Sequence, residues 1–331
     1  MKANSTGSFY KNSLVFTPDG LKNISLIREN DFVLNKEGRF CEVLKNNKTY
    51  NKLIYIKGHG HPKLTTTKGQ NVLATDYKRI WNKKKGISER KFNKKRWINA
   101  EEMKGMFWAS PINFPEIKAP IDLNKDISWF IGAYLGSGAI RYGRELYFKT
   151  NDFRYKKLEQ VLKNLNLRHK KKRLEAFTEY FIYHAVITDW LKRVFHGRYN
   201  IKVVPFWIYG MDKKYRQNLF EGYVWVRGVF EDGKYRFSTK NKHIAIAMKL
   251  IAQSLGYSVA LYVNTSKKKN RITERWQIVA ETSARSSAVV GNERLGLVRE
   301  IIFGRKQQSV YSLELKNSNN YIVDGIIVKS G

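Results

Sequence analysis

Apolar and polar positions alternate with a period of about two at both ends of the chain, and this alternation predicts β-strands. Residues 8–77 carry short apolar runs that are broken by turn sequences such as Pro-Asp-Gly at 18–20. Residues 310–328 return to the alternation, with a turn expected at 317–320 and one last strand after it. Helical and strand patterns succeed one another between these ends. The pattern therefore predicts an α+β protein in which a β domain is split by a long insertion.

Changes of pattern also predict the domain boundaries. Prolines 111, 115 and 120 mark the point where the first β segment ends. We expect a split β domain at 8–118 and 295–331 and an inserted domain at 122–292. The basic segment 78–118 closes the first part of the β domain and is expected to contact nucleic acid as a loop.

The inserted segment contains an internal repeat. The sequence WFIGAYLGSGAI at 129–140 parallels LFEGYVWVRGVF at 219–230, and Gly132 of the first copy corresponds to Gly222 of the second. Small residues at four-residue spacing allow two helices to approach closely, so the copies are expected to pack around a pseudo-twofold axis within a monomer. The two repeats cover about residues 122–204 and 205–292.

Charge changes the picture more than any other property of the composition. The 331 residues include 62 Lys and Arg against 28 Asp and Glu, a formal net charge of +34. A positive field of this size favours polyanions, above all nucleic acid. A Lys-rich source proteome is the alternative explanation, but aromatic residues such as Trp81 are interleaved with the charges. The candidate phosphate contacts of this segment are Lys83, Lys84, Lys85, Lys94, Lys95 and Arg96.

Cysteine and hydropathy exclude other classes of protein. Cys41 is the only cysteine, so the chain forms no intramolecular disulfide and no multi-cysteine zinc site. No run of about 18 apolar residues is present, and the N-terminal sequence MKANSTGSFYKN lacks an apolar signal core. We therefore expect an intracellular protein that does not contact a membrane.

The repeated sequences resemble the LAGLIDADG motifs of homing endonucleases, in the form that carries two motifs on one chain. The flanking segments resemble an intein, the self-splicing Hint domain: its opening in SFYKNSLVFTPDGLKNI, its histidine block in GHGHPKLTTTKGQNVLATD and its closing block in VYSLELKNSNNYIVDGIIVKS. The resemblance covers nearly the whole chain in the family's own order. It implies two αββαββα halves whose strands form a saddle over the DNA major groove, with one carboxylate from each half holding Mg²⁺.

The chain departs from the family where the chemistry would occur. The resemblance places the two acids just before the closing glycine of each motif, where this chain has Ser137 and Arg227. A serine hydroxyl is a weak Mg²⁺ ligand, and a guanidinium repels a cation. We therefore expect neither cutting nor a cofactor, with Mg²⁺ needed only if nuclease activity survives. The acids that would have to replace the missing ligands are Glu145, Asp152, Glu221, Glu231 and Asp232.

The splicing positions depart in the same way. By resemblance, Ser8 stands at the position of the nucleophile and His61 at that of the internal histidine. Ser330 replaces the terminal Asn, and Lys329 replaces the His before it. A serine cannot cyclise to a succinimide, so splicing is expected to be lost. The alternative interpretation of His61 is a satisfied structural group in a β core.

Strand alternation selects the candidate DNA contacts. In the strand RELYFKT, Leu146 and Phe148 are predicted to face the core, and Glu145, Tyr147 and Lys149 are predicted to face outward. Arg and Gln on such a surface suit bidentate recognition of guanine and adenine. The predicted contacts from the strands are Arg141, Arg144, Tyr147, Lys149, Lys234, Arg236, Ser238, Arg275 and Gln277. The basic runs at 168–173 and 267–269 are expected in hairpin turns, where Lys170, Lys171, Lys267 and Lys268 touch phosphate.

Three functions remain open at this point. The first is a degenerate intein-like homing endonuclease that binds duplex DNA specifically and neither cuts nor splices. The second is an active Mg²⁺-dependent endonuclease that uses substitute acids. The third is a repurposed RNA-binding or regulatory module, because a charge of +34 fits structured RNA as well.

Overall fold

The computed structural model describes residues 7–84, 86–150, 155–197, 200–268, 271–282, 284 and 286–331; at 155, 267, 268, 271 and 272 it describes the backbone alone. The chain divides into two compact units. One unit takes the described residues of Met1–Pro115 and Ser283–Gly331, and the other takes those of Glu116–Thr282. The sequence pattern assigns 283–292 to the insertion, but the strand Ser287–Val290 pairs within the first unit.

The first unit is a β structure. Its strands are β1 (Phe9–Tyr10), β2 (Leu14–Thr17), β3 (Gly20–Asn23), β4 (Phe32–Leu34), β5 (Phe40–Gly58), β6 (His61–Thr66), β7 (Asn71–Thr75), β8 (Tyr77–Asn82), β9 (Ile87–Phe92), β10 (Arg96–Asn99), β11 (Phe107–Pro111), β20 (Ser287–Val290), β21 (Glu293–Leu315), β22 (Asn320–Val323) and β23 (Ile326–Lys329). Among the described residues, 13 strands form one sheet in the order β3-β2-β22-β23-β7-β11-β21-β1-β6-β5-β4, with β10 against β7 and β20 against β21.

The long strands β5 and β21 pair antiparallel and carry much of the core. Alternate apolar residues of these strands belong to the buried core that also contains Trp108. The sequence predicts one strand after the turn at 317–320, but the structure has two. Asp324 and Gly325 adopt left-handed backbone with φ of 51° and 78°, and they close a two-residue hairpin between β22 and β23.

The first part of the basic segment, which was expected as a loop, is a two-stranded hairpin of β8 and β9. Tyr77 pairs with Phe92 at its base and Asn82 with Ile87 near its tip. The rings of Tyr77, Phe92 and Phe107 pack against one another at 5.1–6.1 Å between centroids and anchor the base of β8 and β9. Strand pairing and the packing of these rings therefore give the segment strand structure despite its charge.

The second unit contains the helices and two small sheets. Its elements are α1 (Lys125–Ser137), β12 (Ala139–Arg141), β13 (Glu145–Thr150), α2 (Tyr155–Asn164), β14 (His169–Leu174), β15 (Phe177–Tyr183), α3 (Ala185–Phe195), α4 (Trp207–Gly210), α5 (Lys213–Arg227), β16 (Gly228–Glu231), β17 (Lys234–Thr239), α6 (Lys242–Ser254), β18 (Ser258–Lys268) and β19 (Arg271–Glu281). The sheets have equivalent orders, β12-β13-β15-β14 and β16-β17-β19-β18.

These orders confirm the α+β class with an inserted, internally repeated αββαββα region. The first repeat ends with α3, whereas the chain passes from β19 into the β unit, so the described second repeat has no helix in the place of α3. The run at 168–173, expected in a turn, forms the edge strand β14 instead. No helix in the described part of the chain is long and apolar enough to cross a lipid bilayer.

Helices α1 and α5 cross at their glycines. The Asn124 side chain caps α1 by accepting a hydrogen bond from the backbone N–H of Ile127 at 2.8 Å. An apolar stretch follows in which Gly132 lies against the backbone of α5, and Gly222 lies against that of α1. The absence of a side chain at both positions allows the close backbone approach that brings the C-terminal ends of the two helices together.

Candidate nucleic-acid interface

Ser137 and Arg227 are the last residues of α1 and α5 and therefore lie at equivalent places. The Nε of Arg227 donates a hydrogen bond to the backbone carbonyl of Gly136 on the other helix. The Ser137 Oγ is buried and makes no hydrogen bond to any described residue. A guanidinium thus occupies the junction between the helix ends, where it satisfies one of the terminal carbonyls of α1.

A second cation, Lys202, binds the same helix end. Its ammonium donates hydrogen bonds to the backbone carbonyls of Tyr134 and Gly138, and it lies 4.3 Å from the centre of the Tyr134 ring. Burial, together with the positive charge of Arg227, lowers the pKa of Lys202 to about 7. The sequence analysis missed this residue, because it lies near the end of the first repeat and belongs to no motif.

The two cations lie at one side of a cleft of about 830 Å³. The Asn241 side chain donates to the backbone carbonyl of Lys202 at 2.7 Å and ties the two walls together. Among the described residues that line the cleft, none is acidic. Its polar lining comprises Asn200, Lys202, Arg227, Ser238, Thr239, Lys240, Asn241, Lys242, His243 and Arg275. The field inside it is therefore positive.

The candidate substitute acids do not gather at this cleft. Glu145 is buried and accepts a hydrogen bond from the Tyr183 hydroxyl at 2.6 Å, and Glu221 accepts one from Gln217 at 2.9 Å. Glu231 and Asp232 lie exposed at the β16–β17 turn. Asp152 lies outside the described residues. No group of three His, Cys, Asp or Glu in the described chain is arranged to hold a metal, so Mg²⁺ does not fit these helix ends.

The outer face of the second sheet is polar and exposed. Ser238 of β17 lies beside Gln277 of β19, which in turn lies beside Tyr262 of β18. Arg236 and Arg275 are exposed on the same face, and Trp276 and Ile278 point to the core. Lys234 pairs with Glu281 at 2.9 Å at the edge of this row. The described side chains of Arg236, Gln277 and Arg275 are therefore available to a ligand that lies across the strands.

The first sheet differs because Tyr147 is not available. The prediction of an exposed Tyr147 is wrong: it is 7% exposed, since Arg141 covers its ring at 3.2 Å and its hydroxyl donates to Glu179 at 2.6 Å. Burial and this hydrogen bond raise the pKa of Tyr147. Arg144 and Lys149 remain exposed, with the Lys149 ammonium over the Phe177 ring.

The lysines predicted in turns separate into different environments. Lys170 is exposed in β14 beside Phe181, on the outer face of the first sheet. Lys171 points to the opposite face, where its ammonium binds Glu159 of α2 at 2.6 Å. Alternation along a strand, which a turn would not impose, produces this difference. Lys267 and Lys268 end β18, and their side chains lie outside the described part.

The β8–β9 hairpin presents cations and apolar residues together. Lys83, Lys84 and Lys94 are exposed, and Trp81 is 62% exposed near the tip. Lys85 lies outside the described residues. Lys95 is less available than predicted, because it is paired with Glu293 and also donates to the Val290 carbonyl. Arg96 lies 3.5 Å from Asp76 and remains exposed.

The splicing positions are embedded in the β unit. Ser8 is buried; its N–H donates to Thr67 Oγ1 at 3.0 Å, and its carbonyl accepts from Thr66 Oγ1 at 2.7 Å. His61 is fully buried, with its Nε2 4.0 Å from Asp324 Oδ2. The full burial of His61 favours the structural interpretation of this residue, which stays a prediction.

Gln70, which the sequence analysis missed, connects the two ends of this unit. Its Nε2 donates to the Lys329 carbonyl at 2.9 Å, and Gly7 packs against its Cα. The backbone N–H of Ser330, next along the chain, donates to the Asn319 carbonyl at 2.8 Å. Gly7 and Lys329, each next to one of the two predicted splice positions, therefore both contact Gln70.

Comparison with known proteins gives similarities of structure only. No protein-family model matches the chain, and no curated protein sequence matches it. The chain is similar to full-length DUF199/WhiA from Thermatoga maritima, at 13% identity and a TM-score of 0.33, over 49% of this chain and 53% of that one. It thus spans about half the length of that protein.

Two further similarities fall on separate parts of the chain. I-DmoI, solved in complex with DNA and Mn, matches 47% of this chain and 89% of its own, at 10% identity and a TM-score of 0.32. The gp41-1 intein matches 29% of this chain and 81% of its own, at 21% identity and a TM-score of 0.21. I-DmoI is a homing endonuclease. Similarities of this size do not assign an activity to this chain.

Proposed function

We propose that this protein binds duplex DNA through the outer faces of its two small sheets and does not hydrolyse it. The observation that carries the proposal is the pair of cations, Lys202 and Arg227, hydrogen-bonded to the carbonyls at the end of α1. This is the junction at which metal-dependent cutting would need carboxylates. The positive surface and the exposed Arg and Gln of the second sheet support binding.

The absence of hydrolysis follows from charge. A divalent ion at the junction would lie beside a guanidinium and an ammonium, with no acidic side chain among the described residues of the cleft. Repulsion between like charges and the lack of oxygen anions both oppose metal binding. Splicing is expected to be lost as well, because Ser330 cannot cyclise and His61 is held in the core beside Asp324.

An RNA-binding module is the second candidate, and the β8–β9 hairpin favours it. Trp81 is exposed next to Lys83 and Lys84, and exposed aromatic rings beside cations suit unstacked bases. Duplex DNA is preferred here because the exposed Arg236, Gln277 and Arg275 lie on a twisted antiparallel sheet, a surface that can enter a major groove.

Capture of fragmented genomic DNA from the source organism tests the proposal. The purified protein is incubated with the fragments and Mg²⁺ at about 150 mM salt, where nonspecific phosphate binding is weakened. Bound fragments and their ends are then sequenced. We expect one enriched locus with intact ends. Fresh staggered ends at that locus would show an active nuclease, and enrichment only from a parallel RNA pool would favour the second candidate.

Loss of splicing is tested separately. Reporter domains fused to both sides of the chain are expected to remain on one precursor after incubation with a thiol reductant. Detection of joined reporters by intact mass would contradict the proposal.

A further inference from the structure

The cleft at the end of α1 rejects a metal but is built for a ligand of the opposite charge. We infer that it binds one phosphate group of a nucleic acid directly, through the Arg227 guanidinium and the Lys202 ammonium, without a divalent cation. This inference rests on the function proposed above and identifies the chemistry of one contact. It goes beyond the loss of cutting, because it assigns a positive role to the two residues that replace the metal site.

Both cations are held in place by backbone rather than by acids. Arg227 uses its Nε on the Gly136 carbonyl, and both of its terminal NH₂ groups lack a hydrogen-bond partner among the described residues. Lys202 donates two of its three N–H groups, to Tyr134 and Gly138, and so keeps one donor for a ligand. Hydrogen bonds to carbonyls orient the donors and leave their positive charge in place. An ion pair with a carboxylate would instead neutralise that charge.

The lining of the cleft includes further cations. Lys240 and Arg275 are exposed and Lys242 is half-buried, and all three line the cleft. The helix end beside them is already satisfied, because Asn241 Oδ1 accepts hydrogen bonds from the N–H groups of His243 and Ile244. The site therefore depends on side-chain cations around an open volume and not on a free helix terminus.

An anion would also relieve a repulsion that the empty arrangement contains. The Lys202 ammonium and the Arg227 guanidinium are like charges at the same helix end, and the charge of Arg227 helps to lower the pKa of Lys202. A bound phosphate favours the protonated ammonium and raises that pKa. Binding at or above neutral pH then takes up a proton, so the affinity is expected to decrease as the pH rises from about 6.5 to 8.5.

The test compares charge-removing variants with a matched control, in EDTA and in Mg²⁺. Fluorescence anisotropy of a labelled duplex, carrying the captured locus, is measured over a range of salt for the full chain. Arg227→Met and Lys202→Met are each expected to lower the affinity about tenfold and to reduce the salt slope by about one. Lys214→Met, which removes an exposed lysine from the first turn of α5, is expected to change the affinity less than about twofold.

Two comparisons separate the inference from alternatives. Wild-type affinity is expected to be equal in EDTA and in Mg²⁺ at matched ionic strength, and Arg227→Lys is expected to retain most of it. If the wild-type protein binds the duplex and both Met variants bind it equally well, the inference is overturned and the proposed function stands. If wild-type protein binds no duplex, the proposed function fails, and inorganic phosphate then tests the cleft alone. If inorganic phosphate raises the thermal unfolding temperature of the wild type but not of Arg227→Met, the inferred phosphate site is supported. Equal effects on the two proteins would overturn the inference.

A comparison of three duplex probes distinguishes an internal phosphodiester from a terminal phosphate as the group that is bound. Intact duplex is compared with duplex nicked at one position and carrying either a 5′-phosphate or a 5′-hydroxyl. Equal affinity for all three, each lowered by Arg227→Met, indicates an internal phosphodiester. A preference for the 5′-phosphate that Arg227→Met removes indicates a terminal group. Variants that lower affinity for none of the three probes contradict a phosphate contact here.

Discussion

Gly132 of α1 lies against the carbonyl of Leu219 on α5, so closely that a Cβ at Gly132 would be 1.9 Å from that oxygen. The pseudo-symmetric contact is the same: a Cβ at Gly222 would lie 2.0 Å from the Trp129 carbonyl oxygen. The blocking atoms belong to backbone and cannot rotate away. The crossing of the two repeats therefore has room for glycine alone at these two positions.

We expect Gly132→Ala and Gly222→Ala to destabilise the protein, each by about 1–3 kcal/mol or more, because the helices must separate to admit a methyl group. Urea unfolding followed by circular dichroism measures the effect. Glu221→Ala, at an exposed position on the same turn of α5, is the control and is expected to lie close to wild type. Wild-type stability of both alanine variants would contradict the close crossing.

The side chain of Asp324 is expected to contribute to the free energy of unfolding of the β unit. Its Oδ1 accepts a hydrogen bond from the buried N–H of Leu14 at 3.1 Å, and its φ is 51°. Asp324→Asn keeps an acceptor and tolerates this backbone, so we expect a small change. Asp324→Gly keeps the backbone conformation but leaves the Leu14 N–H without this acceptor, at a cost of about 1–3 kcal/mol. Urea unfolding distinguishes the variants, and equal stability of the Gly and Asn variants would refute the role of this hydrogen bond.

The lowered pKa of Lys202 leads us to expect that the stability of the protein depends on pH. Its pKa is lowered to about 7 in the folded chain, against about 10.4 for a lysine in water. The unfolded chain binds more protons between these values, so the contribution of Lys202 to the free energy of unfolding increases as pH rises from about 7 towards 10. Lys202→Met removes that contribution.

The measurement is urea unfolding of wild type and Lys202→Met at several pH values from about 6 to 9.5, a range that brackets most of this titration. The difference in unfolding free energy, wild type minus variant, is expected to increase with pH, because the other titrating groups cancel. Lys214→Met controls for the loss of an exposed charge. A difference that stays constant over this range would show that Lys202 does not titrate there.

Trp81 of the β8–β9 hairpin is expected to contribute to nucleic-acid binding but not to the stability of the fold. Trp81 is 62% exposed, so Trp81→Ala is expected to leave the thermal unfolding temperature within error of wild type. If the ring stacks on a base, Trp81→Ala is expected to weaken the free energy of binding to single-stranded DNA or RNA by about 1–3 kcal/mol, roughly 5- to 150-fold in affinity. Phe32→Ala, which removes an exposed ring elsewhere in the same unit, is the control. Equal affinities of the two variants would argue against stacking by Trp81.

Introducing acids at the ends of α1 and α5 tests what opposes metal binding there. We expect Ser137→Asp with Arg227→Asp to bind Mg²⁺ weakly, because the Lys202 ammonium remains at the same helix end and pairs with the new carboxylates. Adding Lys202→Met is expected to raise Mg²⁺ affinity at least about tenfold in titration calorimetry. The same triple change with Asn in place of Asp is the uncharged control. Tight Mg²⁺ binding by the double variant alone would show that Lys202 is not an obstacle.

Much of this molecule follows from patterns among neighbouring residues. The period of alternation selected Arg275 and Gln277 as outward residues, and the structure places Trp276 and Ile278 on the buried side of the same strand, because side-chain direction in a strand is fixed by position. The repeat placed Gly132 and Gly222 at matching positions of two helices. At residues 137 and 227 the sequence alone gives a hydroxyl and a guanidinium, because the chemistry of a side chain follows from its identity. That metal ligands have been lost at these positions stays a prediction from the resemblance.

Only the tertiary structure shows that Lys202 lies at the end of α1 and that Tyr147 is buried. Lys202 reaches α1 through its own hydrogen bonds to Tyr134 and Gly138 and through Asn241, all distant in sequence. Tyr147 has the pattern of an exposed residue, but Arg141 and Glu179 from adjacent strands cover it. Local periodicity depends on the backbone geometry of consecutive residues and is visible in the sequence. Contacts between distant segments depend on the path of the whole chain, and no short pattern records them.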